Sequence, residues 1–221
     1  MSAESALRHG DGPGLDLIET LRWQPGEGFV RLDRHVARLC ASAQALGLPC
    51  DPGRIVPALA EAAGDSQAPL RVRLLLSKGA HVEVTAHPHE PLPPDRVWTL
   101  RLARRARLSS ADPLLRHKTG RRDAYVQARA EYGWAEADEV LLTNERGELC
   151  EGTITTLFAD FGDGVLATPR LDCGLLAGVL RAEMLEEGRA REAVFGLDEL
   201  KSAEAVFVGN SLRGLIPARL A

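Results

Sequence analysis

The chain has 221 residues, of which 45% are hydrophobic and 26% charged, with a net charge of −4. That balance is typical of a globular protein, and the pI of about 5.9 argues against nucleic-acid binding. No stretch approaches about eighteen consecutive apolar residues, so we expect no membrane span. The four cysteines are widely spaced, which predicts neither a zinc site nor a disulfide framework and indicates a reduced, cytoplasmic setting.

The first half of the sequence predicts a small α/β arrangement. Residues 1–14 are polar and glycine-rich and predict a loose end that is not a signal peptide. Apolar residues at steps of three and four mark a helix with Asp33 as its N-cap, and Asp51 followed by proline opens a second helix. The predicted strands are 15–23, 28–32, 70–77, 81–86 and 97–103, and the predicted helices are 33–46 and 52–64.

The second half predicts more strands than helices. A connector at 109–115 precedes it, and turns are predicted at Asn144–Gly147 and at 162–164. The predicted helices are 121–132 and 176–187, and the predicted strands are 139–143, 148–159, 165–167 and 205–208. We therefore expect an α/β (α+β) protein with a small α/β domain at 1–107 and a larger, strand-rich domain at 108–221.

Lysine is scarce in this chain. Only three of the 27 basic residues are lysines, and the other 24 are arginines. Lys78 lies in a predicted turn and Lys201 in a predicted short acidic helix, and both are expected at the surface. Lys118 has three arginines within four residues, whose positive charges favour the neutral amine that attacks carbonyl compounds. Lys118 is thus a candidate for covalent chemistry, with a basic connector as the alternative.

Two further segments carry possible chemistry. Glu151 lies in a predicted strand among apolar neighbours, where a carboxylate needs a partner. It is either an edge-strand residue or a carboxylate that keeps a heterocyclic nitrogen protonated, as pyridoxal phosphate (PLP) chemistry needs. Residues 174–181 turn from loop into helix, and they either present N–H groups to an anion or form a close-packed turn. His87 and His89 have no third ligand at a suitable spacing, so we expect no metal.

Taken in order, these motifs resemble the class IV (fold type IV) family of PLP-dependent aminotransferases and lyases. The resemblance extends over nearly all of residues 15–220. The segments that carry it are Leu17–Arg22, His35–Leu39, His117–Thr119, Asn144–Gly147, Glu151–Thr153, Leu157–Phe158, Thr168–Pro169, Gly174–Arg181 and Asn210–Gly214. It implies a small α/β domain followed by a larger pseudo-barrel domain, and a homodimer.

The resemblance implies PLP as the cofactor and gives each site residue a role. Lys118 holds the cofactor covalently and moves protons, and Thr20 assists near the leaving group. Glu151 pairs with the pyridine N–H. The residues implied in cofactor binding are Arg38, Lys118, Glu151, Val179, Leu180 and Ser211. Those implied in substrate binding are Ser211, Leu212 and Arg213.

Within the family, the sequence most resembles the 4-amino-4-deoxychorismate lyases, particularly the form fused to aminodeoxychorismate synthase. This likeness rests on Leu17–Trp23 and Asn210–Gly214, and it implies production of p-aminobenzoate and pyruvate in the folate pathway. One alternative is a class IV aminotransferase acting on branched-chain or D-amino acids with 2-oxoglutarate. Another is a PLP-binding protein without turnover. The tyrosine that many members carry five residues after the lysine is Asp123 here, and Tyr125 is a candidate substitute.

Overall fold

The structure is a computed structural model that describes residues 15–221. The loose end expected at residues 1–14 lies outside the described residues. Within the part of the chain that is described, no helix combines the length and the apolar character that crossing a bilayer requires.

The chain forms two compact units, and each unit joins segments that are separated in sequence. The units comprise the described residues up to Pro91 with 117–121 (unit 1), and 92–116 with 122–221 (unit 2). Lys118 therefore belongs to unit 1, although the chain on either side of its segment belongs to unit 2. The division into domains 1–107 and 108–221 stays a prediction.

Unit 1 is a four-stranded antiparallel sheet with two helices packed on it, in the strand order β2-β1-β3-β4. Its elements are β1 (Leu17–Gln24), β2 (Gly28–Phe29), α1 (Leu32–Leu46), α2 (Pro52–Ala63), β3 (Leu70–Ser77) and β4 (His81–Pro88). Helix α1 packs on β1, and α2 packs on β3 and β4. The side chains of β3 alternate between buried and accessible positions, because successive residues of a strand point to opposite faces.

The two helix starts in unit 1 differ from each other. Asp51 accepts a hydrogen bond from the Gly53 N–H at 2.9 Å, which confirms the predicted N-cap of α2. The predicted N-cap at Asp33 is wrong, because Arg31 precedes α1 in a left-handed conformation with φ of 59°. Asp33 lies instead within the first turn of α1, where its negative charge suits the positive end of the helix dipole.

Unit 2 is built on an eight-stranded sheet that closes on itself. Its elements are β5 (Trp98–Leu102), α3 (Asp123–Ala130), β6 (Glu139–Thr143), β7 (Leu149–Gly152), β8 (Thr156–Asp160), β9 (Leu166–Pro169), α4 (Val179–Glu186), β10 (Ala190–Ala193), α5 (Leu197–Ser202), β11 (Ala205–Asn210) and β12 (Gly214–Leu220). Six of these strands are hydrogen-bonded neighbours in the spatial order β8-β11-β12-β5-β6-β7, and β7 also pairs with β8. Six strands thus form a ring, from which β9 and β10 extend beside β8.

The core of the ring draws on every one of its strands. Each ring strand contributes a buried aliphatic residue to one apolar cluster. These residues are Leu100, Leu141, Leu149, Leu157, Val208 and Ile216. The closed, barrel-like sheet confirms the expected strand-rich second part and the fold class.

The strands of unit 2 differ from the sequence prediction in three places. The single strand predicted at 148–159 is in fact β7 and β8, with a turn at 153–155 between them. Strand β10 was not predicted, because it is only four residues long and carries two charged side chains. Strand β12 was not predicted because it contains Pro217, a residue that weakens a strand pattern.

Candidate active site

The backbone of Lys118 is fixed against β1 in unit 1. The Ile18 N–H donates to the Lys118 carbonyl at 2.7 Å, and the Gly120 N–H donates to the Asp16 carbonyl at 2.9 Å. The segment thus lies along the edge of β1 opposite β3. Lys118 is half-buried, whereas the lysines at 78 and 201 are exposed, as the sequence predicted for those two.

Neighbouring groups further define the Lys118 segment. His117 Nδ1 is hydrogen-bonded to the buried Ser42 hydroxyl of α1 at 2.9 Å. Thr20 lies on β1 two residues after Ile18 and pairs in register with Arg73 of β3. The sheet edge of unit 1 therefore carries both residues that were expected to act catalytically.

Arg38 is held by a buried carboxylate of β1. Its Nε and Nη2 donate to the two oxygens of Glu19 at 2.8 and 2.6 Å, in a bidentate pair. His35 Nδ1 lies 2.6 Å from Oε2 of the same carboxylate. Glu19 and His35 are both almost fully buried, so this cluster fixes the direction of the Arg38 guanidinium.

The charges of this cluster follow from its burial. Burial alone raises the pKa of Glu19, but the Arg38 charge and the His35 and Arg38 hydrogen bonds lower that pKa to about 2. Burial lowers the pKa of His35 below its usual value, against the opposing effect of Glu19. His35 is therefore neutral near pH 7 and donates its Nδ1–H to the ionised Glu19.

Glu151 lies on β7, one of the six ring strands of unit 2. It pairs in register with Leu142 of β6 and with Thr156 of β8, so β7 is not an edge strand at this point. Its Oε1 accepts hydrogen bonds from the Tyr125 hydroxyl at 2.6 Å and from the Leu176 N–H at 3.1 Å. Both of these donors are neutral, so they stabilise the carboxylate without cancelling its charge.

A second carboxylate shapes the turn that follows Glu151. Glu139 is fully buried and accepts hydrogen bonds from the N–H groups of Thr153 and Ile154 at 2.9 and 3.0 Å. It also accepts from the hydroxyls of Thr153 and Thr155 at 2.5 and 2.8 Å. A Cβ at Gly152 would lie only 2.5 Å from the Thr155 hydroxyl, so this position needs glycine.

Several elements of unit 2 meet around Thr156. This residue pairs with Glu151 on one side and with Gly209 of β11 on the other. A Cβ at Gly178, which immediately precedes α4, would lie 2.8 Å from the Thr156 hydroxyl. One at Gly209 would lie 2.9 Å from Cδ2 of Leu180. The start of α4, including Val179 and Leu180, therefore lies near the strand that pairs with Glu151.

The turn between β11 and β12 joins the same region. Ser211 and Leu212 are buried, and Arg213 is half-buried. The Asn210 side-chain amide donates to the Ile154 carbonyl at 3.1 Å, and its oxygen accepts from the Arg213 N–H at 3.0 Å. These bonds hold the 210–213 turn against the turn at 153–155.

The expected site residues are thus distributed over both units. Unit 1 carries Thr20, Arg38 and Lys118, and unit 2 carries Glu151, Val179, Leu180, Ser211, Leu212 and Arg213. Sequence reasoning missed Glu139 and Thr156. A signal for Glu139 exists, because it is the first residue of β6 and three apolar residues follow it, so a carboxylate buried there needs a partner.

The chain is similar to known proteins in both sequence and structure. A family model described as "Amino-transferase class IV" matches residues 16–221. A Schizosaccharomyces pombe protein named "Putative aminodeoxychorismate lyase" is 36% identical over 205 residues, covering 90% of this chain and 86% of that protein.

Two solved structures are also similar. One, described as a "Putative amino-acid aminotransferase" from Mesorhizobium loti, is 63% identical with a TM-score of 0.91, covering 93% of this chain and 99% of that one. The 4-amino-4-deoxychorismate lyase from Pseudomonas aeruginosa is 28% identical with a TM-score of 0.77, covering 93% of this chain and 82% of that one. Proteins similar to this chain therefore carry the names of two different reactions.

Proposed function

Since the chain belongs to the class IV aminotransferase family of PLP-dependent enzymes, we propose that it catalyses the lyase reaction known in that family. It converts 4-amino-4-deoxychorismate to p-aminobenzoate and pyruvate. The observation that carries this choice is the S. pombe relative, whose name states this activity and whose similarity spans most of both chains. The motifs Leu17–Trp23 and Asn210–Gly214 support the same choice.

A second candidate function is amino-acid transamination, with a branched-chain or D-amino acid and 2-oxoglutarate as substrates. The M. loti relative favours it, because that protein is described as an amino-acid aminotransferase. Both candidates use the same cofactor and the same lysine, so they differ in what the substrate pocket accepts and in which bond breaks.

The residues present suit PLP. Glu151 is a buried carboxylate supported by the neutral donors of Tyr125 and Leu176, a fitting partner for a protonated ring nitrogen. Helix α4 begins at Val179, so its first N–H groups have no acceptor within the helix and suit a phosphate. Ser211 and Arg38 add a hydroxyl and a guanidinium for the same phosphate, and the Glu19 carboxylate fixes the Arg38 direction.

In the proposed mechanism, the protein positions the reacting groups and moves protons. PLP, when bound, supplies the electron sink for the bond that is broken. The Lys118 amine would hold the cofactor until the substrate amino group replaces it, and the freed amine would then take the proton from the ring carbon that bears that amino group. The ring becomes aromatic as the three-carbon group departs, and a proton returned to that group completes pyruvate. Thr20 assists near the leaving group, and Arg213 binds the substrate carboxylate with the Leu212 N–H. Contact of Ser211 with this carboxylate, in place of the phosphate, is the alternative.

The decisive experiment is a product assay on the purified, PLP-loaded protein. We expect p-aminobenzoate and pyruvate in equal amounts from 4-amino-4-deoxychorismate. Formation of glutamate from an amino acid and 2-oxoglutarate, without p-aminobenzoate, would instead establish the aminotransferase. Absence of turnover with either substrate set would leave a cofactor-binding protein and overturn both enzymatic proposals.

The role of Lys118 can be tested by its removal. We expect Lys118→Ala to lower turnover by about 10²–10⁴-fold or more, because a proton-transfer group of this kind contributes about that factor. Borohydride treatment should fix the cofactor to Lys118 in the unmodified protein and not in the variant, as peptide mapping would detect. Lys201→Ala is the matched control, since Lys201 is exposed and pairs with Asp198 at 2.9 Å. Full activity of Lys118→Ala would contradict the proposal.

We also propose that the protein is a homodimer and that it acts in the folate pathway in the cytoplasm. Light scattering coupled to size-exclusion chromatography tests the first part: a mass near twice 23.9 kDa supports it, and a mass near 23.9 kDa contradicts it.

A further inference from the structure

A buried tyrosine contacts the carboxylate that is proposed to face the cofactor nitrogen. The Tyr125 hydroxyl lies 2.6 Å from Oε1 of Glu151, and both side chains are buried. Burial, followed by the charge of Glu151, holds the pKa of Tyr125 well above its usual value of 10. Tyr125 therefore keeps its proton and acts as a donor toward the carboxylate.

The same carboxylate oxygen is held by a second donor. The Leu176 N–H donates to Oε1 of Glu151 at 3.1 Å. Tyr125 comes from α3 and Leu176 from the loop before α4, so two separate elements fix one oxygen. Donors to an ionised carboxylate favour its charged form over its protonated form.

The position of the Tyr125 ring is also fixed by a contact to its face. The Arg122 guanidinium lies over the Tyr125 ring, with its central carbon 4.3 Å from the ring centroid. Arg122 Nη2 also donates to the carbonyl of Thr153, two residues after Glu151. Arg122 thus holds the face of the Tyr125 ring while Glu151 binds its hydroxyl, so the hydroxyl has a defined direction.

We propose that Tyr125 is a positioning residue that holds the Glu151 carboxylate ionised and directed at the ring nitrogen of PLP. It thereby sets how strongly the protein keeps that nitrogen protonated. This inference rests on the role proposed for Glu151 above. A carboxylate that loses a donor becomes a better proton acceptor, so in Tyr125→Phe the proton shifts from the ring nitrogen toward Glu151 and the electron sink weakens.

The test measures binding of two cofactors to the cofactor-free protein. One is PLP, and the other is its 1-deaza analogue, in which a C–H group replaces the ring nitrogen. Without Tyr125 the Glu151 carboxylate is no longer directed at the ring nitrogen, so the Kd of Tyr125→Phe for PLP should rise by about tenfold or more, the equivalent of one hydrogen bond to a charged group. The Kd for the analogue should stay within about twofold of the wild-type value. Equal weakening of both, or no change in either, would overturn the proposal.

A spectroscopic measurement adds a second readout. In the PLP-loaded protein, the near-visible absorption band of the cofactor should titrate at a different pH in Tyr125→Phe, because the protonation of its ring nitrogen has changed. A band that titrates as in the wild type contradicts the proposal.

The chain offers a matched control in its only other tyrosine. The Tyr132 hydroxyl donates to the Leu102 carbonyl at 2.7 Å and does not bind Glu151. We expect Tyr132→Phe to leave the ratio of the two dissociation constants unchanged. The same change of ratio in both variants would show that loss of either tyrosine hydroxyl suffices, and this would overturn the proposal.

Glu151→Gln separates this inference from the proposed function. If that variant leaves the ratio of dissociation constants unchanged, Glu151 does not serve the ring nitrogen, and the roles proposed for Glu151 and for Tyr125 both fail, whereas the reaction itself is decided by the product assay. If Glu151→Gln changes the ratio and Tyr125→Phe does not, only the inference about Tyr125 fails. When both change it, adding Tyr125→Phe to Glu151→Gln should have no further effect.

Discussion

Three buried glutamates show how hydrogen-bond partners offset the unfavourable free energy of burying a carboxylate in this protein. Glu19 has a guanidinium and an imidazole as partners. Glu139 accepts five hydrogen bonds from backbone N–H groups and hydroxyls. Glu151 accepts from a tyrosine and a backbone N–H. A buried carboxylate without such partners is strongly destabilising, so each of these groups also orders the elements that supply its donors.

The Glu19 cluster makes the stability of the protein depend on pH. The pKa of Glu19 falls from 4.5 to about 2 on folding, so its contribution is present above pH 4.5 and is lost as the pH falls toward 2. We expect Glu19→Gln to lower the free energy of unfolding at pH 7 by about 3 kcal/mol, the equivalent of that shift. The variant should also show a shallower loss of stability between pH 4.5 and 2. Urea unfolding of the cofactor-free protein at several pH values measures both effects.

The control for this prediction is an exposed carboxylate with a similar shift. The pKa of Glu145 is also lowered to about 2, first by its hydrogen bonds with Ser110, but Glu145 is about half exposed. Solvent screens such a group, so Glu145→Gln should leave the stability nearly unchanged. Equal losses in the two variants would show that burial of Glu19 is not the cause.

Among the structural elements, the turn between β7 and β8 connects packing to the candidate site. It follows Glu151 directly, and the Glu139 carboxylate holds its backbone N–H groups. Gly152 fits there only because it has no side chain, since a Cβ would lie 2.7 Å from the Glu139 carboxylate. The geometry of this turn is therefore set by two residues that are not themselves expected to touch a ligand.

We expect Gly152→Ala to destabilise the protein by about 1–3 kcal/mol, the usual cost of forcing extra atoms into a packed site. It should also weaken PLP binding, because Glu151 would have to move with the turn. Gly133→Ala is a suitable comparison, since its added Cβ would meet only the end of the exposed Glu136 side chain, at 3.2 Å. Denaturant unfolding and PLP titration of both variants test this, and a stable Gly152→Ala protein with normal PLP affinity would contradict it.

The elements that were predicted correctly depend on local patterns, and those that were missed depend on distant partners. Strand alternation and the Asp51 cap are readable within a few residues, and they place β3 and α2 close to their observed positions. The break between β7 and β8 is not readable in this way, because Glu139 lies 14 residues before the N–H of Thr153 that it binds. Sequence alone offers no signal for a strand that ends because of so distant a carboxylate.

The candidate site likewise contains residues that the sequence identifies and contacts that it does not. Residue type and motif order single out Lys118 and Glu151 without knowledge of the fold. The partners of such residues are invisible in the sequence, because Tyr125 and Glu151 are separated by 26 residues and Glu19 and Arg38 by 19. Contacts of this kind arise only when strands and helices assemble.

On the scale of the whole molecule, cofactor binding should raise thermal stability. A ligand that binds only the folded state at about 100 times its Kd stabilises it by about 2.7 kcal/mol. For a chain of this size that corresponds to a rise in Tm of roughly 5–10 °C. Differential scanning calorimetry of the protein with and without PLP measures this rise.

Pyridoxal, which lacks the phosphate, is the control for that prediction. It cannot use the N–H groups at the start of α4 or the Arg38 guanidinium, so at equal concentration it should raise Tm by less than PLP does. Equal shifts with the two compounds would contradict the proposed phosphate contacts.

The discontinuity of unit 1 has a consequence for how the protein is made. The ribosome releases the sheet of unit 1 first, then residues 92–116, and only afterwards the segment 117–121 that completes the edge of β1. The nascent chain therefore contains Glu19 and Arg38 well before the one lysine that is expected to be reactive. A product that terminates early, or is cut within residues 92–116, carries most of unit 1 but lacks the lysine that is proposed to hold the cofactor covalently.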